Sequence, residues 1–208
     1  MTDRLPRGLY LVTPDSRDAG QLLGRLEDAL RGRPALVQYR NKLADPAARR
    51  EQAAAAAALC RAAGALFIVN DSVELALEVG ADGVHMGRED GDPAAARAAL
   101  GDDLILGVSC YDDFERARSA VAAGADYVAF GTMFPSSVKP DAPRAPLELV
   151  RRARDELGVQ VACIGGITLE NVSQLVAAGA DFVAVISDVF RAEDPAARAA
   201  AIQALFED

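Results

Sequence analysis

Gly80-Ala81-Asp82-Gly83-Val84, Gly124-Ala125-Asp126-Tyr127-Val128 and Gly179-Ala180-Asp181-Phe182-Val183 are near copies of one another. Gly64-Ala65-Leu66-Phe67-Ile68 is a weaker fourth. Each follows an Ala-rich stretch of helical character and leads into a short apolar run. The residue types suit a helix-to-strand junction: Gly stops a helix in the left-handed conformation, Ala packs closely, and Asp occupies the turn before a strand. The motif therefore reads as structural punctuation, on the face where α/β barrels build stability instead of chemistry.

Working outward from these junctions, apolar runs recur at Gly8–Val12, Ala35–Val37, Ala65–Val69, Gly83–Val84, Leu104–Val108, Tyr127–Phe130, Val159–Ile164 and Phe182–Ile186. Several are apolar at consecutive positions, as expected of strands covered on both faces in a parallel sheet. Helical patterns fill the intervals: Leu22–Leu30, Pro46–Ala63, Val73–Val79, Pro93–Leu100, Asp112–Ala123, Pro146–Leu157, Thr168–Ala178 and Asp194–Phe206. Asp112 or Asp113 is a natural N-cap, Pro146 falls near N1, and Thr168 with Asn171 makes a weakened capping box. Eight βα units in 208 residues predict an α/β fold, a single-domain (β/α)8 TIM barrel over 1–208, with a doubly wound open sheet as the alternative.

Composition narrows the function classes. Hydrophobic residues make up 51% and charged residues 25%, which excludes a disordered or rod-like chain. The net charge of −9 disfavours nucleic acid and anionic membrane surfaces as partners, but not a small phosphorylated ligand. The three cysteines, Cys60, Cys110 and Cys163, are widely spaced in apolar stretches and form no CxxC. They read as reduced and buried. Met1–Arg7 carries charges and no apolar core of a signal peptide, so the expected location is cytoplasmic.

Ligands of parallel α/β folds bind at the carboxyl ends of the strands. The residues there are Gln38-Tyr39-Arg40-Asn41-Lys42, Asn70-Asp71, His85 through Asp90, Ser109, Gly131 through Lys139, Gly165-Gly166 and Ser187. Gln38 and Arg40, two apart, point to the same side of their strand. Asp71 and Asp90 place carboxylates at neighbouring strand ends, which suits Mg²⁺. Ser136, Ser137 and Lys139 read as an oxyanion or phosphate clamp. Gly165-Gly166 lets backbone N–H groups approach a phosphate, with Ser187 opposite, in the loops that habitually bind phosphate in this barrel. His85, the one histidine, receives no general-base role from sequence.

The motifs VQYRNK (37–42), FIVND (67–71), DGVHMGRED (82–90), GVS (107–109), GTMFPSSVKP (131–140), IGGI (164–167) and VIS (185–187), in this order and spacing, resemble the thiamine-phosphate synthase family from Gly8 to about Phe190. The resemblance implies a small (β/α)8 transferase. Its substrates would be 4-amino-5-hydroxymethyl-2-methylpyrimidine diphosphate and a thiazole phosphate. Its products would be thiamine phosphate and pyrophosphate. It implies that Gln38, Tyr39, Arg40, Asn41, Lys42, Asn70, Ser109 and Lys139 contact the pyrimidine diphosphate, with Arg40, Lys42, Ser109 and Lys139 catalytic. Asp71 and Asp90 would hold Mg²⁺. Ser136, Ser137, Val138, Gly166, Ile186 and Ser187 would surround the thiazole phosphate. Many members carry Thr where Ser136 and Val138 stand, so position 138 loses a hydroxyl and keeps its backbone N–H. The alternatives are a thiazole tautomerase relative, a phosphate-binding aldolase or isomerase, and a non-catalytic phosphate-binding barrel. The tautomerase would not need two metal carboxylates and Lys139. The aldolase would need a Schiff-base Lys within a strand, and none is visible.

Overall fold

The computed structural model describes residues 5–135 and 144–207. Eight parallel strands close into a barrel in chain order: β1 (Gly8–Val12), β2 (Leu36–Tyr39), β3 (Leu66–Asn70), β4 (Gly83–Met86), β5 (Ile105–Tyr111), β6 (Tyr127–Phe130), β7 (Gln160–Ile164) and β8 (Phe182–Val185). Around them run α1 (Ala19–Leu30), α2 (Pro46–Ala63), α3 (Val73–Val79), α4 (Pro93–Leu100), α5 (Phe114–Ala122), α6 (Leu147–Arg152), α7 (Val172–Ala178), α8 (Ser187–Phe190) and α9 (Pro195–Gln203). The barrel, not the open sheet, is therefore the fold.

Strand alternation divides the core in two. Tyr10, Leu36, Ile68, Tyr127 and Phe182 pack with one another inside the barrel. The alternate positions, among them Leu9, Leu11, Val37, Val69, Leu106 and Val108, pack with the helices. Both faces are thus apolar, which is why the strands read as continuous hydrophobic runs.

Several helix ends differ from the sequence expectation, α1 starting at Ala19 instead of Leu22. Asn171, not Thr168, stands at the start of α7, because the Thr168 N–H donates to Asn171 Oδ1 (2.9 Å) and Asn171 Nδ2 donates to the Gly166 carbonyl (2.9 Å). The side chain stabilises the preceding turn and the helix begins after it. Pro146 is the N-cap of α6, and that helix widens into a π-helical segment over Ala153–Leu157. The four-residue α8 after β8 was not expected.

The repeated Gly-Ala-Asp junction has a specific mechanical role. Gly80 and Gly179 end α3 and α7 at φ 63° and 94°. Each Asp then bonds twice to one residue of the preceding strand. The Asp82 N–H donates to the Phe67 carbonyl (2.9 Å), and its carboxylate accepts from the Phe67 N–H (2.7 Å). Asp126 does the same to Leu106 (2.8 and 2.7 Å) and Asp181 to Val161 (2.8 and 3.0 Å). The carboxylates differ in burial: Asp82 is exposed, Asp126 intermediate, and the Asp181 side chain only 3% exposed beside Arg7 (3.3 Å). Removing a buried acceptor leaves its donor unsatisfied. Asp181→Ala should therefore cost about 2 kcal/mol in denaturant unfolding, and Asp82→Ala less than half of that. Equal costs at the two sites would refute the burial argument.

Candidate active site

The inward-facing residues of the strands end in one cavity of ≈ 1010 Å³ at their carboxyl ends. Its walls include Tyr10, Val12, Ala129, Ala162, Ile164 and Ala184, an apolar pit beneath a polar mouth. The small side chains of Ala129, Ala162 and Ala184 leave space that Tyr127 and Phe182 fill lower down.

A chain of hydrogen bonds crosses the barrel under this pit. Gln38 Nε2 donates to the Tyr10 hydroxyl (2.6 Å), which meets the Tyr127 hydroxyl (2.7 Å). Tyr127 meets His85 Nδ1 (2.9 Å), and His85 Nε2 meets Ser109 Oγ (2.8 Å). The His85 ring stacks on Tyr127, centroids 5.6 Å apart. Burial pushes the His85 imidazole down to about 4, and burial pushes both tyrosines well above their ordinary value. The whole chain is neutral at pH 7. It joins Gln38 to Ser109 as a fixed scaffold, in which both ring nitrogens of His85 are engaged and burial makes its imidazole a weak base.

On the side formed by β2, β3 and β4 the mouth is charged. Asp71 takes φ 66°, with its N–H on the His85 carbonyl (2.8 Å). Asp90 accepts the Gly87 N–H (2.6 Å). Burial, then the hydrogen bond and the charge of Asp90, raise the Asp71 carboxyl to about 6, opposed by Lys42, whose Nζ is 3.9 Å away. Arg40 Nη1 pairs with Asp15 (3.0 Å), and Asp15 also accepts the Lys42 N–H (2.6 Å). Asp15 is thus a cavity residue that sequence reading missed. Two facing carboxylates with hard oxygen donors and an incomplete countercharge fit Mg²⁺, which needs one or two carboxylates and takes its remaining ligands from phosphate and water. Among the described residues no group of three or more His, Cys, Asp or Glu could hold a metal ion.

The opposite side is glycine-rich, and its one lining carboxylate among the described residues, Asp188, is paired with Arg198. Gly165 and Gly166 take φ 102° and 66°. A Cβ on Gly166 would strike the carbonyl oxygens of Pro135 and Phe134. Ile186 and Ser187 line the cavity beside them. Asp188 bonds to Arg198 (3.0 Å) and to the Leu169 N–H (3.1 Å), so it anchors α8 to its neighbours.

Of the expected residues, the fold therefore brings Gln38, Arg40, Lys42, Asn70, Asp71, Asp90, Ser109, Gly166, Ile186 and Ser187 to one cavity. Ser136, Ser137, Val138 and Lys139 lie outside the described residues. Tyr39 and Asn41 are not brought to it. Their parity turns them outward to α2, where both bond to Gln52 Oε1 (2.9 Å each) and Asn41 Nδ2 also donates to the Ser16 carbonyl (2.7 Å). Alternation along VQYRNK already carried that distinction.

The family model described as thiamine monophosphate synthase matches residues 9–189. The chain belongs to this family. It is 62% identical over 207 residues to a thiamine-phosphate synthase of Aromatoleum aromaticum, covering 100% of each chain. It is also 62% identical to one of Azoarcus sp., covering 96% of this chain and 97% of the relative. A solved thiamine phosphate pyrophosphorylase from Pyrococcus furiosus superposes with TM-score 0.87 at 33% identity, over 98% of this chain and 97% of that one.

None of the three cysteines lines the cavity. Cys60, Cys110 and Cys163 are free and buried, and burial raises each thiol to about 12. None is a ready thiolate nucleophile.

Proposed function

We propose that this chain is a thiamine-phosphate synthase. It joins 4-amino-5-hydroxymethyl-2-methylpyrimidine diphosphate to 4-methyl-5-(2-phosphoethyl)thiazole, giving thiamine phosphate and pyrophosphate. The observation that carries the reading is the division of the one cavity. A carboxylate-and-cation side at β2–β4 and a glycine-rich side at β7–β8 flank an apolar pit. That arrangement suits two phosphorylated substrates whose rings meet in the middle.

In this reading Gln38, Asn70 and Ser109 orient the pyrimidine, and the neutral chain through Tyr10, Tyr127 and His85 keeps Gln38 and Ser109 in register. Arg40, Lys42 and Lys139 bind the diphosphate. Asp71 and Asp90 hold Mg²⁺, which when bound neutralises the diphosphate charge. Gly166, Ile186 and Ser187, with Ser136, Ser137 and Val138, hold the thiazole phosphate. The pyrimidine–oxygen bond breaks ahead of attack by the thiazole nitrogen, in a dissociative displacement. Pyrophosphate leaves as its charge is stabilised. The protein supplies positioning and electrostatics, with no nucleophilic side chain. That agrees with a neutral His85 and buried thiols.

No described helix is long and apolar enough to cross a membrane. A cytoplasmic location suits the free cysteines and the small phosphorylated substrates. The test is to mix both substrates with and without Mg²⁺ and assay thiamine phosphate. Metal-dependent product with equimolar pyrophosphate is expected. Binding of both substrates without release of pyrophosphate would refute the catalytic reading in favour of a ligand-binding barrel.

A further inference from the structure

Asp71 and Asp90 are held in different ways. Asp71 follows β3 directly, and its N–H is fixed to β4 through the His85 carbonyl. Asp90 stands four residues past the end of β4, on the turn Gly87–Asp90. Facing carboxylates repel, so a turn held only by its own bonds would swing Asp90 toward solvent.

Two side chains from the β5–α5 unit hold that turn. Arg116, on α5, donates through Nη2 to the Gly87 carbonyl (3.0 Å) and through Nε to the Ser109 carbonyl (2.7 Å). One planar guanidinium thus ties the exit of β4 to the exit of β5. Tyr111, the last residue of β5, accepts the Arg88 N–H at its hydroxyl (3.3 Å), and the Arg88 guanidinium stands 4.7 Å from its ring centroid. The Tyr111 carbonyl accepts the Gly131 N–H (3.0 Å), so the same residue also reaches the exit of β6. Tyr111 takes φ 58°, next to the register shift between Ser109 and Tyr111, a conformation unusual for an aromatic residue. Inside the turn, a Cβ on Gly87 would stand 2.7 Å from Asp90 Oδ2, so the carboxylate is packed against the backbone it accepts from.

We propose that Arg116 and Tyr111 are positioning residues for the metal-binding carboxylate, fixing the Gly87–Asp90 turn so that Asp90 faces Asp71. The inference rests on the proposed metal role of Asp71 and Asp90 and identifies what holds one of them in place. Tyr111 also lines the cavity; in this proposal neither residue is a metal ligand, and both act through the turn.

The test is Mn²⁺ binding to the substrate-free protein, followed by the paramagnetic resonance signal of free Mn²⁺, with Asp90→Asn as reference. Arg116→Met should weaken binding about 10-fold, the size of a lost outer-shell partner. Arg116→Lys should recover part of it, since a point charge cannot span both carbonyls. Tyr111→Phe, which keeps the ring and loses one neutral hydrogen bond, should weaken it about threefold. The KM for thiazole phosphate, bound across the cavity, should move less than the Mn²⁺ affinity in each variant. If Asp90→Asn loses Mn²⁺ while Arg116→Met and Tyr111→Phe bind it as the parent does, the positioning role is wrong and the metal assignment stands. If Asp90→Asn itself binds Mn²⁺ normally, the metal assignment fails and the positioning role with it. Should Arg116→Met fail to fold, Tyr111→Phe decides by itself.

Discussion

Asp71→Asn and Asp90→Asn should each lower Mg²⁺-dependent thiamine phosphate formation about 100-fold or more, since each removes half of the carboxylate pair that would hold the metal. For Asp71→Asn, stability should move the other way. Asn tolerates the left-handed conformation at φ 66° as well as Asp does. The substitution also removes a charge that the fold disfavours. The Asp71 carboxyl is raised from 3.8 to about 6, chiefly by burial and then by Asp90. The folded state therefore binds this proton more tightly than the unfolded chain. Its contribution to stability is full below about pH 4 and is lost as pH rises through 6. At pH 7 the metal-free Asp71→Asn protein should be more stable than the parent by about 1 kcal/mol, a value kept small by solvent at the cavity mouth. Denaturant unfolding at pH 4, 5, 6 and 7 reads this directly. A variant that loses activity and stability together would mean that Asp71 is a structural residue.

Gly166→Ala should cost activity about 100-fold with a measurable loss of stability. The added methyl would strike the Pro135 and Phe134 carbonyl oxygens, which are backbone and cannot rotate away. Those residues are held in register by Phe134 N–H on the Gly165 carbonyl (3.0 Å) and Met133 N–H on the Ile164 carbonyl (3.0 Å). The clash therefore moves the segment that leads to Ser136 and Lys139 as well as the glycine turn beside Ser187. Gly158→Ala is the matched control. Gly158 has φ 65° with nothing within 4 Å of the added carbon, so it carries the backbone strain alone. It should lose about 1 kcal/mol of stability and keep full turnover. If both variants keep full activity, the glycine turn is not part of the phosphate side.

The fold was legible because its signals are local and repeated. The Gly-Ala-Asp junctions mark helix ends, and the bounds of α2, α3 and α4 follow from a Pro or a cap at one end and a Gly at the other. Much of the site was legible from order alone, because strand ends converge wherever a parallel barrel closes. What sequence could not show depends on tertiary geometry. Asp15 enters the cavity by pairing with Arg40, on a different strand exit. Tyr10 and His85 are buried at the floor of the cavity, and their polar atoms matter because Tyr127 lies between them. Tyr111 and Arg116 gave no motif, since their role runs through backbone carbonyls that any residue could supply. Tyr39 and Asn41 share a contiguous motif with Gln38, Arg40 and Lys42, but their side chains turn to Gln52 on α2, a distinction that depends on which face each position takes.

The aspartate junctions also bear on how the barrel is assembled as the chain is made. Each links residues only 15 to 20 positions apart: Phe67 with Asp82, Leu106 with Asp126, Val161 with Asp181. Short loops close at little entropic cost, so each βα unit can lock to its predecessor soon after it leaves the ribosome. The seam between β1 and β8 is different in kind. There Arg7 reaches the Ala180 carbonyl across 173 residues, and the Leu9 N–H waits for Gln203, 194 residues on. The barrel can therefore grow as an open, curling sheet stapled at its base, with an N-terminal strand edge exposed until the last unit emerges. Asp181, which staples β7 to β8 and also meets Arg7, belongs both to that stepwise growth and to the closing of the ring.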